Sequence, residues 1–237
     1  MERLHFDHPE KLFSDMAAEL EAIATAAIAE RGVFQLVLNG GSTPSGLFEV
    51  LRSGAYRGSD AWRATQFWWG DERSVRPGAG GSNYRMAREQ LLDPLEIEPS
   101  QVRRIKGELD SVEAAVHYTE LLRRAAGPGR GWPCFDLVLL GLGLDGHTAS
   151  LFPGSVEPEG AAAIAVTAHY GDRPSERVSL SSAVFNSARN VFFMVVGEEK
   201  KEIVERVLDG PYEPELLPAQ RIRPLAGEVA WWLNFQK

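Results

Sequence analysis

The feature that most constrains the fold is a set of short apolar runs that lack polar alternation. These runs lie at residues 34–38, 66–69, 135–140, 161–165 and 191–196. An uninterrupted apolar run is typical of a strand buried on both faces, as in a parallel sheet that is covered by helices. We therefore expect the runs to form the strands of one buried sheet.

Helical patterns alternate with these runs. They span about residues 9–31, 44–54, 82–92, 111–126 and 198–209. In the first pattern, apolar residues recur every three or four positions until Gly32 ends it. Alternating strands and helices predict right-handed crossovers and helices on both faces of a parallel sheet. We predict an α/β fold, a three-layer sandwich with a mostly parallel, modified Rossmann-like sheet, in which residues 1–237 form a single domain.

The acidic balance of the chain limits its partners. Of 237 residues, 25 are Lys or Arg and 33 are Asp or Glu, which gives a net charge of −8 at pH 7. Such a surface repels nucleic acid and anionic membranes, so an anionic ligand needs a local cationic pocket. The chain has a single cysteine, Cys134, and no stretch approaching the ~20 apolar residues of a membrane span. We expect a cytoplasmic protein, a monomer or weak homo-oligomer, with no nucleic-acid or membrane partner.

The loop after the first apolar run reads NGGSTPSGLF and is suited to bind an anion. Gly40 and Gly41 allow close approach of the backbone to a ligand. Thr43 can cap the helix that follows, and Pro44 suits its first position. The free N–H groups and positive dipole end of that helix, with the hydroxyl groups of Ser42 and Thr43, favour a phosphate. The alternative is a tight strand-to-helix turn without a ligand.

A second loop, GDERSVRPGAGGSNY, follows the next apolar run. It places Asp71, Glu72 and Arg73 together at the end of a strand, where charges need partners. The planar fork of an arginine suits phosphate oxygens, so Arg73 could supply the cation that the acidic chain requires. Ser82 and Asn83 are expected to cap the following helix. The alternative is a solvated acid–base cluster.

A third loop, LLGLGLDGHTASLFPG, has Gly141, Gly143 and Gly146 in the GxGxxG spacing of dinucleotide-binding proteins. We reject that interpretation, because the fingerprint requires a long helix and an acidic residue at the end of a second strand. Here Pro153 would end the helix early. No carboxylate or cysteine cluster accompanies the histidines, so we expect neither a metal site nor a cofactor.

The DGH tripeptide of the third loop remains distinctive. Asp145 and His147 flank a glycine at a strand end, where ligands bind in parallel sheets. An unperturbed imidazole titrates near pH 6.5, so His147 is suited to accept a proton during a reaction. His117 and His169 are interpreted as structural or exposed.

Together, GGSTPSGLF, GDER with its downstream SNY, and LLGLGLDGHTASLFPG resemble the 6-phosphogluconolactonase family of the glucosamine-6-phosphate isomerase/deaminase-like superfamily. The order and spacing of the motifs agree, and the similarity continues through DRPSERVSLSSAVFNSA, VGEEK and LPAQRIRP. It covers roughly residues 9 to 235, and DGHTASLFP is its most specific segment.

The resemblance implies a metal-free hydrolase of the oxidative pentose phosphate route that acts on 6-phosphogluconolactone. In that family the GGST loop, here residues 40–43, holds the phosphate, and the DGH histidine, here His147, activates water. The resemblance also implies that Arg73 and a basic residue before RVSL bind the substrate. The family pattern has lysine before proline where this chain has Arg173, so Arg173 and Arg177 are both candidates.

Hydrolysis of a lactone needs a base for the attacking water and donors for the developing oxyanion. We expect His147 to be the base, with Asp145 or Asp71 orienting its imidazole. Backbone N–H groups of the loop from Gly143 to Thr148 are candidate oxyanion donors, and Arg73 is the alternative.

Three other functions are weighed against the lactonase. An amino-sugar-phosphate isomerase/deaminase shares the DGH loop, but that branch carries a tyrosine after Asp-Glu, where this chain has Arg73. A non-catalytic sugar-phosphate sensor would bind the same ligand without turnover, and the net charge disfavours DNA binding. A dinucleotide-dependent oxidoreductase rests only on the GxGxxG spacing.

Overall fold

The computed structural model describes residues 1–127, 129–169, 171 and 174–236. Its strands are β1 (Glu2–His5), β2 (Phe34–Leu38), β3 (Thr65–Trp69), β4 (Asp71–Arg73), β5 (Val102–Arg103), β6 (Leu137–Leu140), β7 (Ala163–Thr167), β8 (Glu176–Leu180), β9 (Asn190–Val196) and β10 (Glu228–Asn234). Its helices are α1 (Pro9–Arg31), α2 (Pro44–Leu51), α3 (Gly54–Arg57), α4 (Asn83–Ala87), α5 (Ser111–Ala125), α6 (Ser182–Phe185) and α7 (Lys201–Asp209).

A seven-stranded sheet runs in the order β1-β10-β9-β6-β2-β3-β5, and each neighbouring pair is parallel. Every residue of β6 at its centre is buried, as expected where helices cover both faces of a sheet. Helix α1 packs against α2, β2 and β10, and its Leu12, Met16 and Leu20 enter the core. The predicted α/β fold with a mostly parallel sheet is confirmed.

A second sheet has three antiparallel strands in the order β4-β8-β7. The run at 161–165 was predicted to join the parallel sheet, and that prediction is wrong. It contributes instead to β7, which pairs antiparallel with β8. Ala165 and Thr167 are exposed, so this edge strand has one open face although its sequence contains little polar signal.

Several elements differ from the sequence patterns. The edge strand β1 was not predicted, because its sequence ERLH is mostly polar and its pairing with β10 comes from the other end of the chain. The pattern at 82–92 begins as α4 but continues from Arg88 to Leu92 as a π-helical turn. The pattern at 198–209 starts with a 3₁₀ turn from Glu198 to Lys200 before α7.

The two sheets meet at the carboxyl-terminal edge of the parallel sheet. Gly70 alone separates β3 from β4, so the chain passes directly from one sheet into the other. Its N–H donates to Leu38 of β2 at 2.9 Å and its carbonyl accepts from Leu180 of β8 at 2.8 Å. Because the strands are parallel, the loops after β2, β6 and β9 leave from this same edge. This is where a ligand is expected.

Candidate active site

A cavity of about 180 Å³ lies at the edge where the two sheets meet. Its walls come from the segments that follow β2, β6 and β9 and from strands β4 and β8. The predicted site residues that line it are Gly40, Gly41, Ser42, Thr43, Asp71, Arg73, Gly143, His147 and Arg177. The three loops singled out in the sequence therefore meet at one cavity.

The loop after β2 brings its backbone close to the cavity. A Cβ at Gly40 would overlap Oδ1 of Asn83, and Gly41 has a φ of 105°, which L residues rarely adopt. Pro44 is the first residue of α2, as predicted. Thr43 has helical φ and ψ of −61° and −44°, and its hydroxyl makes no capping bond within the described chain. The predicted cap is wrong because Thr43 already belongs to the helical turn.

Asp71 is a fixed hydrogen-bond acceptor in the cavity wall. Nδ2 of Asn83 donates to its carbonyl at 2.9 Å and to its Oδ1 at 3.0 Å. The hydroxyl of Ser150 donates to its Oδ2 at 2.6 Å, and the residue is only 3% exposed. These donors hold Asp71 in place and join the second and third loops.

Glu72 orders the segment behind this wall, and the sequence had not indicated a role for it. Its carboxylate accepts hydrogen bonds from the backbone N–H groups of Arg73, Asn83 and Tyr84 and from the hydroxyl of Ser82, at 2.7 to 2.9 Å. Burial raises the pKa of Glu72, and these hydrogen bonds only partly offset that effect. Ser82 also caps α4, as predicted.

Two arginines are paired across the small sheet. Arg73 of β4 and Arg177 of β8 are direct cross-strand partners, and both line the cavity. Nη1 of Arg73 donates to the carbonyl of Gly81 at 2.7 Å, and Arg177 is only 2% exposed. Like charges directly opposite each other destabilise a sheet. The pair is therefore suited to bind an anion between the two side chains.

The side chains of Asp145 and His147 form a hydrogen-bonded pair. Oδ1 of Asp145 lies 2.5 Å from Nδ1 of His147 and accepts the backbone N–H of His147 at 3.1 Å. Burial would raise the pKa of Asp145, but the hydrogen bonds and charge of His147 outweigh burial and lower it. A Cβ at Gly143 would overlap Nδ1, so glycine is required beside the imidazole. Of the two carboxylates proposed to orient His147, Asp145 is the one bound to the ring.

Two backbone N–H groups of the third loop, those of Gly143 and Gly146, donate within the loop. That of Gly143 donates to the carbonyl of His147 at 2.8 Å, and that of Gly146 to the carbonyl of Gly143 at 3.1 Å. Gly146 has a φ of 82°, packs against Leu217 and lies outside the cavity lining. Of the N–H groups in the loop from Gly143 to Thr148 that are candidate oxyanion donors, those of Gly143 and Gly146 already have an acceptor, and for the rest of the loop the role stays a prediction.

Lys200 lines the cavity, although the sequence analysis gave it no role. It ends the 3₁₀ turn after β9, and its Nζ donates to the carbonyl of Leu142 at 2.8 Å. Gly197, with a φ of 120°, starts that turn. A usable signal was present, because VGEEK leaves the carboxyl end of a predicted parallel strand.

Arg173 lies outside the described residues, so Arg177 is the member of that pair that the structure places at the cavity. Across the described chain, no group of three or more His, Cys, Asp or Glu side chains could hold a metal ion. No helix in the same residues is long and apolar enough to cross a membrane.

Comparison with known proteins identifies relatives along almost the whole chain. The family model for glucosamine-6-phosphate isomerases/6-phosphogluconolactonase matches residues 7–231. A 6-phosphogluconolactonase of Treponema pallidum (strain Nichols) is 36% identical over 199 residues, covering 83% of this chain and 81% of that protein. A 6-phosphogluconolactonase of Haemophilus influenzae is 33% identical over 197 residues, covering 83% of each chain.

A solved structure agrees with this relationship. The 6-phosphogluconolactonase of Trypanosoma brucei is similar with a TM-score of 0.85 and 30% sequence identity, covering 98% of this chain and 95% of that one. The resemblance that was drawn from the three loop motifs is thus confirmed. The chain belongs to the glucosamine-6-phosphate isomerase/6-phosphogluconolactonase family.

Proposed function

We propose that this chain hydrolyses 6-phospho-D-glucono-1,5-lactone to 6-phospho-D-gluconate, a step of the oxidative pentose phosphate pathway, with His147 as the general base. The observation that carries the proposal is the shared cavity, in which an imidazole bound to Asp145 lies with the 40–43 loop and the paired arginines. The relatives named 6-phosphogluconolactonase support the choice of substrate.

The phosphate group of the substrate would bind at the 40–43 loop. Two glycines there leave the backbone accessible, and α2 directs its N-terminus toward this loop. Arg73, Arg177 and Lys200 add three cationic side chains to the same cavity. Charge-assisted hydrogen bonds from such groups are stronger than neutral ones, so a phosphate dianion can be held despite the acidic surface.

His147 would take the proton of the attacking water through Nε2. A neutral imidazole has one N–H donor and one acceptor nitrogen, and the bond to Asp145 favours the proton on Nδ1. Nε2 is then the basic nitrogen. Asp145 also stabilises the imidazolium that forms when the proton is transferred.

The reaction proceeds in two steps. The water oxygen forms a bond to C1 of the lactone while its proton passes to His147, which gives a tetrahedral oxyanion. The bond between C1 and the ring oxygen then breaks, and the imidazolium returns its proton to the departing oxygen. Since the N–H groups of Gly143 and Gly146 are engaged, one of the two arginines of the cavity, Arg73 or Arg177, is the proposed oxyanion donor, and the other arginine binds the phosphate together with Lys200. Asp71 would accept a hydroxyl hydrogen of the sugar.

The alternatives make different chemical demands. A deaminase would release ammonia from an amino-sugar phosphate, and a sensor would bind 6-phosphogluconate without accelerating lactone hydrolysis. An oxidoreductase would bind a dinucleotide, yet Gly143 packs on the imidazole and Gly146 lies outside the cavity, so the GxGxxG glycines do not form a phosphate loop.

The test generates the lactone in situ and measures its hydrolysis above the spontaneous background. We expect His147→Ala to lower kcat by roughly 10²- to 10⁴-fold, because positioned proton transfer is lost. His5→Ala, a histidine of the edge strand β1, serves as the matched control with unchanged kcat. Full activity of His147→Ala would contradict the general-base role, and a wild-type rate at background would contradict the lactonase itself.

A further inference from the structure

Phe152 joins the imidazole of His147 to the buried guanidinium of Arg177. The Phe152 and His147 rings are stacked, with centroids 4.3 Å apart and an angle of 29° between their planes. Cζ of Arg177 lies 5.3 Å from the centroid of the Phe152 ring. Phe152 is 7% exposed, so this contact is shielded from water. An aromatic side chain therefore adjoins both the proposed base and a proposed substrate-binding cation.

The hydrogen bond from Nδ1 of His147 to Asp145 does not by itself fix the plane of the imidazole. Rotation about the Cβ–Cγ bond displaces Nδ1 and weakens this hydrogen bond, but hydrogen bonds tolerate a range of angles and the terminal torsion of a histidine side chain has a broad minimum, so a small tilt is still allowed. A tilt would move Nε2 away from the water that it must deprotonate. A stacked ring on one face restricts this motion, because offset aromatic contacts are favourable only over a narrow range of geometry.

The segment that carries Phe152 is itself well fixed. Thr148 and Leu151 form an isolated β-bridge, and the hydroxyl of Thr148 donates to the carbonyl of Gly141 at 2.8 Å. Leu151 is fully buried, and the carbonyl of Phe152 accepts the N–H of Ser155 at 2.9 Å. The Phe152 ring is thus presented to His147 from a backbone that is tied to the end of β6.

We propose that Phe152 is a positioning residue for the reaction, which holds the plane of the His147 imidazole so that Nε2 points at the attacking water. Arg177 restrains the Phe152 ring in turn through a cation–π contact. The inference rests on the proposed role of His147 as the base. It assigns Phe152 its main effect on kcat, with at most a small effect on KM through the contact with Arg177.

The experiment compares Phe152→Leu, Phe152→Tyr and Phe192→Leu with the wild type in the lactone assay. Phe152→Leu keeps an apolar side chain but removes the stacked face, and we expect kcat to fall about tenfold or more with KM changed by less than about twofold. Phe152→Tyr retains the ring and should restore kcat. Phe192→Leu is the matched control, because Phe192 packs on Trp232 in the parallel sheet outside the cavity lining.

The outcomes separate this inference from the proposed function. Unchanged kcat in Phe152→Leu together with an inactive His147→Ala would overturn the positioning role and leave the general base intact. A rise in KM as large as the fall in kcat, or no recovery of kcat in Phe152→Tyr, would indicate that Phe152 acts only through general packing. Either result would also overturn the positioning role. If Phe152→Leu does not fold, Phe152→Met removes the aromatic face with a side chain that adapts to irregular space, and the same criteria apply.

Discussion

Three carboxylates around the site, two buried and one half-buried, differ in what they bind, and this determines what each can do. Asp145 binds an imidazole nitrogen, Asp71 accepts from two neutral side chains, and Glu72 accepts from three backbone N–H groups and a hydroxyl. Only Asp145 is bonded to a group that gains charge in the proposed reaction. Asp71 lines the cavity, while Glu72 holds the loop behind it.

Asp145→Asn should therefore remove catalysis with little change in substrate binding. An amide can present a donor to Nδ1, which favours the tautomer with its proton on Nε2 and so removes the base. We expect kcat to fall on the order of 10²-fold or more, with KM nearly unchanged. Steady-state assays of the lactonase measure both constants, and Asp60→Asn, which changes an exposed aspartate outside the cavity lining, is the control.

The pH profile supplies an independent check on Asp145. Its lowered pKa keeps the carboxylate ionised below the usual range of an aspartate, so the loss of activity on the acid side should come from another group. In the wild type the acid limb of kcat should therefore lie above the pH range in which Asp145 titrates. An acid limb at or below the usual range of an aspartate would show that Asp145 itself produces it.

At the scale of elements, the short antiparallel sheet holds charged side chains at the cavity. Strand β4 has three residues, one of which is Asp71 and another Arg73, and β8 sets Arg177 directly opposite Arg73. Like charges on directly opposite residues of a sheet repel each other. The strand pairing therefore places two like charges at the cavity, at a cost in stability that a bound anion can offset.

Inorganic phosphate should accordingly stabilise the protein. A ligand that binds only the folded state at 100 times its Kd stabilises it by about 2.7 kcal/mol, which corresponds to several degrees in Tm for a chain of this size. We expect phosphate to raise Tm more than sodium chloride of equal ionic strength, and Arg73→Gln to reduce that difference. Arg124→Gln, an exposed arginine on α5, should leave it unchanged. Equal shifts in both variants would contradict an anion site at the arginine pair.

The sequence predicted elements best where burial was symmetrical. The strands at 34–38 and 191–196 are buried on both faces, and their apolar runs were sufficient to place them in the parallel sheet. The run at 161–165 failed as a guide, because small apolar residues do not distinguish a half-exposed strand from a buried one. Strand β1 was missed because its pairing with β10 spans nearly the whole chain.

The residues of the site also differ in how far the sequence predicts them. Adjacent residues of a single loop suggest a site at the 40–43 loop and at the pair Asp145 and His147, so these could be proposed from the sequence. The role of Glu72 could not be predicted, since three of its four hydrogen-bond donors become its neighbours only when residues 82–84 fold back on β4. The engaged N–H groups of Gly143 and Gly146 are equally a product of loop conformation, which spacing alone does not give.

The whole molecule combines an acidic surface with a cavity that brings three cationic side chains together. The net charge is −8, yet Arg73, Arg177 and Lys200 share one pocket with a single imidazole and two carboxylates, those of Asp71 and Glu199. They come from β4, β8 and the turn after β9, so the local positive charge appears only when both sheets are assembled. Binding of a phosphorylated substrate thus depends on the complete fold, and Lys200 is the cation contributed from farthest along the chain.

Lys200→Met tests this assembly. The variant keeps a long apolar stem but removes a charge from the cavity and the bond from Nζ to the carbonyl of Leu142. We expect KM for the lactone to rise on the order of tenfold, because a hydrogen bond to a charged group is worth about 1.5–3 kcal/mol, while kcat changes little. Lys200→Arg should recover part of the loss.

Ionic strength adds a second readout to the same variant. Salt screens attraction between the cavity and a phosphate dianion, so KM of the wild type should increase with sodium chloride, and the slope should be smaller in Lys200→Met. Lys201→Met, which removes an exposed lysine at the start of α7, is the matched control and should keep both the wild-type KM and its salt dependence. Equal effects of the two substitutions would mean that the overall charge of the molecule, rather than the assembled cavity, attracts the substrate.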